Sequence, residues 1–361
     1  MPSLILSLAT KSLHLPDSLF GEFAEDAMLR LARTWIFLFV LTVTSLVSTT
    51  AQNATKHAFL WSSATGMQDL GSIGGGSSYA NGINDAGQVV GYYEASGTYR
   101  AFLWTANNGM QDLGTLGGDF AIASGINSAG QVVGTASNAS GEVHAFLWTA
   151  TSGMQDLGAP LRGTFSSGVA INDLGDVTGT ASEVGDVRYV AFLRTPPQKW
   201  MKALGTLGSH YSYGYAINAA GTVAGSSPLN NNLNPYHAFI RRKGSRLVDL
   251  GSLGGSNSTA LGINPSEQVV GWSGFTPQAF LWTANSGMQA LATLGGQNSS
   301  ALAINSNGQI VGFSDLSQTV THAVLWSAPD QIQDLGTLGG SNSIAHGLNN
   351  LGQVIGESTL Q

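Results

Sequence analysis

Cysteine is missing altogether from the 361 residues, which removes disulfides, thiolate metal ligands, thiol nucleophiles and a lipid-modified N-terminal cysteine together. Charge is scarce as well. Charged residues make up 10% of the chain, against roughly 25% in an ordinary soluble protein, so Ser, Thr, Asn, Gln and Gly must cover much of the surface. The net charge is -7, and a chain without a basic face is not expected to take a nucleic-acid partner. No segment of the repeats carries an apolar stripe at helical spacing, while Gly, Val, Thr and aromatics abound, and this excludes a helical solenoid.

The N-terminal part is organised as an address. Arg30 and Arg33 precede an apolar run from Trp35 to Val47, followed by Ser48, Thr49, Thr50 and Ala51. That order of basic, apolar and small residues predicts a secretory signal. The run is too short for the roughly 20 residues of a stable membrane helix, so no membrane span is expected in the mature chain. Residues 1–27 read as an upstream extension or a mis-called start, 28–51 as the signal peptide and 52–361 as the mature domain, secreted to the periplasm or the medium. The intact mass of the secreted protein checks the expected start near Gln52.

What fills the mature chain is a repeat. An Asn recurs at Asn84, Asn127, Asn172, Asn218, Asn264, Asn305 and Asn349, at gaps of 43, 45, 46, 46, 41 and 44 residues. The Ala-Phe-Leu-Trp stretch keeps the same rhythm, with Phe59, Phe102, Phe146, Phe192, Phe239, Phe280 and Val324. Units of about 44 residues rich in strand formers predict an all-β fold, a seven-bladed β-propeller with four strands per unit.

Each unit resolves into four strands. The first runs into the Asn, and all seven units carry Ala or Gly both two and four residues before it, as with Ala80 and Gly82 or Ala301 and Ala303. A strand face that never accepts a large side chain is one where backbones approach closely, which in a propeller is the innermost strand. Asn84-Asp-Ala-Gly87 then makes a tight turn into Gln-Val-Val-Gly, so the Asn is expected to be structural. The third strand, His57-Ala-Phe-Leu-Trp61 and its copies, is apolar on both faces and so buried on both sides. Met110-Gln-Asp-Leu-Gly114 is the fourth strand. On this count the chain begins at a third strand and ends after a second, so the ring closes when the N-terminal outer strands, His57 to Gly71, pair with the C-terminal inner strands, Ser341 to Glu357.

The motifs His-Ala-Phe-Leu-Trp, Met-Gln-Asp-Leu-Gly-Thr-Leu-Gly-Gly and Gly-Ile-Asn-Asp-Ala-Gly-Gln-Val-Val-Gly, recurring in fixed order from His57 to Gly356, resemble the HAF repeat of extracellular bacterial proteins. The resemblance implies a secreted bacterial repeat protein and brings no catalytic residue with it. Arg194 and Arg241, which stand where other units have Trp, depart from the pattern.

Two groups of residues are candidates for chemistry. The first residue of the third strand varies together with the Asp of the fourth: His57 with Asp69, Arg100 with Asp112, His144 with Asp156, His237 with Asp249 and His322 with Asp334, whereas Val190 and Gln278 go with Ala203 and Ala290. Partners on adjacent strands are expected. An imidazole beside a carboxylate resembles part of a serine triad, but five copies speak for a structural pair. The second group breaks the repeat: Arg194, Trp200, Lys202, His210, Tyr211, Tyr213 and Tyr215, then Arg241, Arg242, Lys243 and Arg246. Aromatics among donors suit sugar stacking or an anionic glycan. The Gly-rich Ile73–Gly76 lacks the strand-to-helix setting of a phosphate loop, and no metal or cofactor is expected, because neither alternating Asp nor metal-ligand His spacing occurs. The expectation is a monomeric, non-catalytic binding module for a glycan or an envelope protein. A glycan hydrolase or lyase and a purely structural envelope protein are the alternatives, and fold alone does not choose among them.

Overall fold

The structure is a computed structural model, and it describes residues 55–361 apart from 160, 232–234 and 256. The extension 1–27 and the signal 28–51 therefore lie outside the described residues. Within the described residues, regular structure is strand, with two short 3-10 turns at Ile73–Gly75 and Val184–Asp186. Among them no helix is long and apolar enough to cross a membrane.

The unit around Asn84 sets the pattern. Ser78–Ile83, Val89–Ala95, Thr98–Thr105 and Gly109–Asp112 pair antiparallel in chain order, the first strand at one edge and the fourth at the other. Three further four-stranded sheets repeat this arrangement. The units around Asn127 and Asn172 are joined into one eight-stranded sheet by a single parallel bridge, Phe165 to Val143. In the last unit the inner strands Gly339–Leu348 and Val354–Leu360 pair with Lys56–Ser62 and Gly66–Asp69, from the other end of the chain, in the register Lys56 to Thr359 through Trp61 to Val354.

The small residues of the first strand mark a bulge. Ala80 pairs with Gly91 and Gly82 with Val90, so Asn81 is the extra residue, and the same jump recurs in all seven first strands. A Cβ on Gly82 would lie 3.2 Å from Cα of Gly125 in the next first strand, and one on Gly91 only 1.9 Å from the Tyr79 carbonyl oxygen. Successive inner strands are therefore packed backbone against backbone. Farther out, the third-strand Phe side chains are fully buried between neighbouring sheets, as where Phe146 meets Val90 and Leu103. Each such ring stabilises the fold by about 2 to 3 kcal/mol.

Every Asn does the same work. Asn84 Oδ1 accepts from the Ala86 and Gln88 amides at 3.1 Å, which closes the turn, and Nδ2 donates to Gln88 Oε1 at 2.8 Å. The second Nδ2 hydrogen reaches the Asn127 carbonyl at 3.0 Å. Asn127 binds Asn172, Asn172 binds Asn218, Asn218 binds Asn264, Asn264 binds Asn305 and Asn305 binds Asn349 in the same way. Asn349 donates at 3.1 Å to the carbonyl of Asn84. The seven bonds run head to tail and return to their start.

Candidate functional site

Each sheet has an end where the Asn turns lie and an opposite end where the third strand begins. At that opposite end the structure brings all five covarying pairs together. Nδ1 of His57, His144 and His237 lies 2.9 Å from the carboxylates of Asp69, Asp156 and Asp249, and that of His322 lies 2.8 Å from Asp334. Arg100 Nε donates to Asp112 at 3.1 Å. The same carboxylates accept the amides of Gly71, Gly114, Gly158, Gly251 and Gly336 at 2.6 to 2.8 Å. The Asp thus caps the chain as it leaves the fourth strand, and the His or Arg holds that cap.

The residues that break the repeat do not form one site. The Ser212 amide donates to the Tyr189 carbonyl at 3.0 Å, which puts His210, Tyr211 and Tyr213 at the start of Tyr189–Arg194, where Tyr213 also lies 6.3 Å from the Tyr236 ring. Arg194 ends that strand, about 17 Å away at strand rise. Arg241, at the end of Tyr236–Arg241, is likewise beside the Asn turns. Strand direction causes this separation: His210 and Tyr211 precede the first strand that Tyr213 begins, whereas Arg194 and Arg241 end third strands, so they emerge at opposite ends. Arg242 is held by Glu267 at 2.5 Å and Lys243 by the buried Asp176 at 2.8 Å, so both tie neighbouring sheets together. Tyr211 donates its hydroxyl to the Val187 carbonyl at 3.3 Å. Tyr213 and Tyr215 stack at 6.4 Å. Trp200, Lys202, His210 and Arg246 are exposed. The Nε atoms of Arg194 and Arg241 are buried without a hydrogen-bond partner, and burial pushes both guanidinium pKa values down.

A different cluster appears where Lys56–Ser62 pairs with Val354–Leu360. Glu357, only 2% exposed, accepts from Lys56 Nζ at 3.3 Å and is hydrogen-bonded to His346 Nε2. Burial alone would raise its pKa, but the neighbouring His346 and Lys56 charges hold the carboxyl below its ordinary value. Lys56 Nζ also lies 5.9 Å from the centroid of the Tyr79 ring. Tyr79 stacks on Tyr92 at 4.6 Å, and Tyr92 meets Tyr99 edge-on at 5.2 Å. At the Tyr99 end this column borders a half-open cavity of about 610 Å³, walled by Tyr93, Glu94, Ser96, Tyr99 and the glycines of the Ile73–Gly75 turn. Tyr93 donates its hydroxyl to Asp112 at 2.7 Å, and its pKa is pushed up to about 12, first by burial and then by that bond. Among the described residues no group of three or more His, Asp or Glu side chains is placed to hold a metal ion.

Three features escaped the sequence. A buried Ser six residues before the Asn joins neighbouring sheets. Ser78 Oγ accepts from the Ala58 amide at 2.9 Å and donates to the Gly71 carbonyl at 2.6 Å, and Ser166, Ser212, Ser258, Ser299 and Ser343 accept from their Ala partners at 2.8 to 2.9 Å. Ala121 replaces the Ser once. The Asn register that located the Ala and Gly positions would have found it. Neither Glu357 with His346 and Lys56 nor the Tyr93 to Tyr99 cavity has a signal of that kind, because each is a single event.

No family model matches the chain, and no curated protein matches it. Among solved structures, the fold is similar to a streptogramin B lyase at 11% identity and a TM-score of 0.51, covering 84% of this chain and 98% of that one. It is also similar to a TolB protein from Agrobacterium tumefaciens at 10% identity and a TM-score of 0.50, covering 86% and 99%. At such identities likeness extends to the fold alone, and both structures are β-propellers. The repeat of four-stranded antiparallel sheets in this chain is a β-propeller architecture.

Proposed function

We propose that this protein is an exported, monomeric binding module of the HAF-repeat kind, built as a seven-bladed ring and acting on a glycan or envelope component. The closed head-to-tail run of Asn bonds and the pairing of Lys56–Ser62 with Val354–Leu360 support the ring. The observation that carries the binding role is how the recurring polar residues are used. The Asn side chains, the buried Ser and the His or Arg pairs with Asp are all engaged inside the frame, so groups that differ from unit to unit are the ones left to meet a ligand. A half-open cavity of about 610 Å³ lies among such groups. A non-catalytic role fits the five copies of the acid–base pair, since an active site needs only one.

The test is binding of the purified full chain to a glycan array. Specific binding that survives Trp200→Ala but is lost on changing a cavity residue supports the proposal. No binding to any glycan moves the function to a structural envelope protein.

A further inference from the structure

The tyrosine column between Lys56 and Glu94 is used at one end only. At the first end the chain's own ammonium, Lys56 Nζ, lies over Tyr79 and is neutralised by Glu357 at 3.3 Å. At the second end the column opens on the cavity beside Tyr99 and Glu94. The Glu94 carboxylate is exposed and has the Tyr79 hydroxyl at 3.5 Å. Among the described residues no basic side chain pairs with it: Arg100, on the neighbouring strand, is held by Asp112, and Lys56 by Glu357. No Lys or Arg lines the cavity.

The walls of the cavity are fixed. Tyr93 is anchored through its hydroxyl to Asp112, and Tyr99 is braced against Tyr92. The Thr98 hydroxyl is bound to the Asp119 carbonyl at 3.1 Å. Gly74 and Gly75 have φ of 80° and 79°, and a Cβ on either would meet nothing within 4 Å, so the opposite wall is bare backbone open to the cavity. A carboxylate without a counter-ion, beside the Tyr79 hydroxyl and the Tyr99 ring, repels anions and attracts an ammonium group through charge and cation–π contact.

We propose that this cavity binds a small ligand carrying an ammonium group, of the amino-sugar class, with its amine on Glu94 and a ring face toward Tyr99. The volume holds one or two sugar rings. The proposal rests on the binding role above and deepens it by fixing the site and the sign of the ligand's charge. It also departs from an anionic glycan, the ligand the scattered Arg and Lys residues suggest.

The experiment compares glucosamine disaccharide with its N,N′-diacetyl form by calorimetry on the full chain, at a pH where the free amines are protonated. The two probes share a skeleton and differ in charge. The amine form is expected to bind about tenfold tighter, and Glu94→Gln to abolish that preference. Added salt should weaken the amine form selectively. Glu94 is exposed, so an unchanged melting temperature certifies the variant, and Tyr99→Leu should weaken the amine form further. Equal binding of the two forms, a preference that survives Glu94→Gln, or no binding of the amine form overturns the proposal. In those cases array binding insensitive to Glu94 would keep the binding role and relocate its site, whereas a silent array would remove both.

Discussion

The units around Asn218 and Asn264 are neighbours with the same inner half and different outer halves. Asn218 accepts the Ala220 and Thr222 amides at 3.1 and 2.9 Å and donates to the Asn264 carbonyl at 3.2 Å. Asn264 does the same with Ser266, Gln268 and Asn305. Outward the two diverge. In the Asn264 unit Trp282 pairs with Met288, and the fourth strand, Gly287–Ala290, runs four residues. In the Asn218 unit Arg241 replaces the Trp, and the fourth strand shrinks to Val248–Asp249. The Asn172 unit, with Arg194, has the same shortened form, Lys202–Ala203. An inner residue touches two neighbouring sheets and answers to both, whereas the outermost strand has one strand beside it and solvent beyond. Sequence freedom therefore grows outward.

The largest expected effect tests whether the inner halves are equivalent. Asn218→Ala and Asn264→Ala should each lower stability by about 3 kcal/mol, because each leaves buried turn amides and a neighbour's carbonyl unpaired. Urea unfolding measures this, and a much smaller loss at Asn218 would break the comparison by showing that the irregular unit is slack throughout.

An acid limb of stability should follow. At the position held by Trp272 and Phe313 in two other units, the unit closed by the chain ends has Glu357. Its carboxyl pKa is lowered in the fold, so it contributes stability that is present above its unfolded value of 4.5 and is lost as pH falls through the folded value. Melting temperatures from neutral to acid pH should drop less steeply in Glu357→Gln than in the parent, and parallel curves would count against the role given to Lys56 and His346.

Smaller still is the outer edge. Arg241→Trp should raise stability by about 1 kcal/mol, since it removes a buried, unpartnered guanidinium nitrogen and restores the Trp of the other units. A loss would show that the cation has a use that the surrounding contacts do not reveal. Last, His237→Ala should change stability by about 0.5 kcal/mol or less, as expected for a pair reached by solvent.

What could be read in advance follows the same gradient. The strand order, the Asn turns, the close approach at Ala80 and Gly82 and the pairing of His with Asp were legible because each appears in most units, so position replaces comparison with relatives. The Ser78 bridge was equally repetitive but chemically unremarked, since Ser is common in so polar a chain. The residues from Arg194 to Arg246 lie at opposite ends of their sheets because closeness in sequence takes no account of strand direction: three residues of travel along a strand are about 10 Å. The cavity between Tyr93 and Tyr99 depends on a turn conformation at Gly74 and Gly75 and on how rings stack, and neither is periodic.

The pairing of Lys56–Ser62 with Val354–Leu360 also dictates timing. Synthesis delivers Lys56–Ser62 before the intervening sheets and Val354–Leu360 after them, so Lys56–Ser62 must wait, one edge unpaired, until those sheets have emerged. The neighbouring sheets can form hairpin by hairpin as they appear, from partners close in sequence, but the sheet that joins Lys56–Ser62 to Val354–Leu360 cannot. A nascent chain is therefore held short of its final form until Val354–Leu360 has emerged.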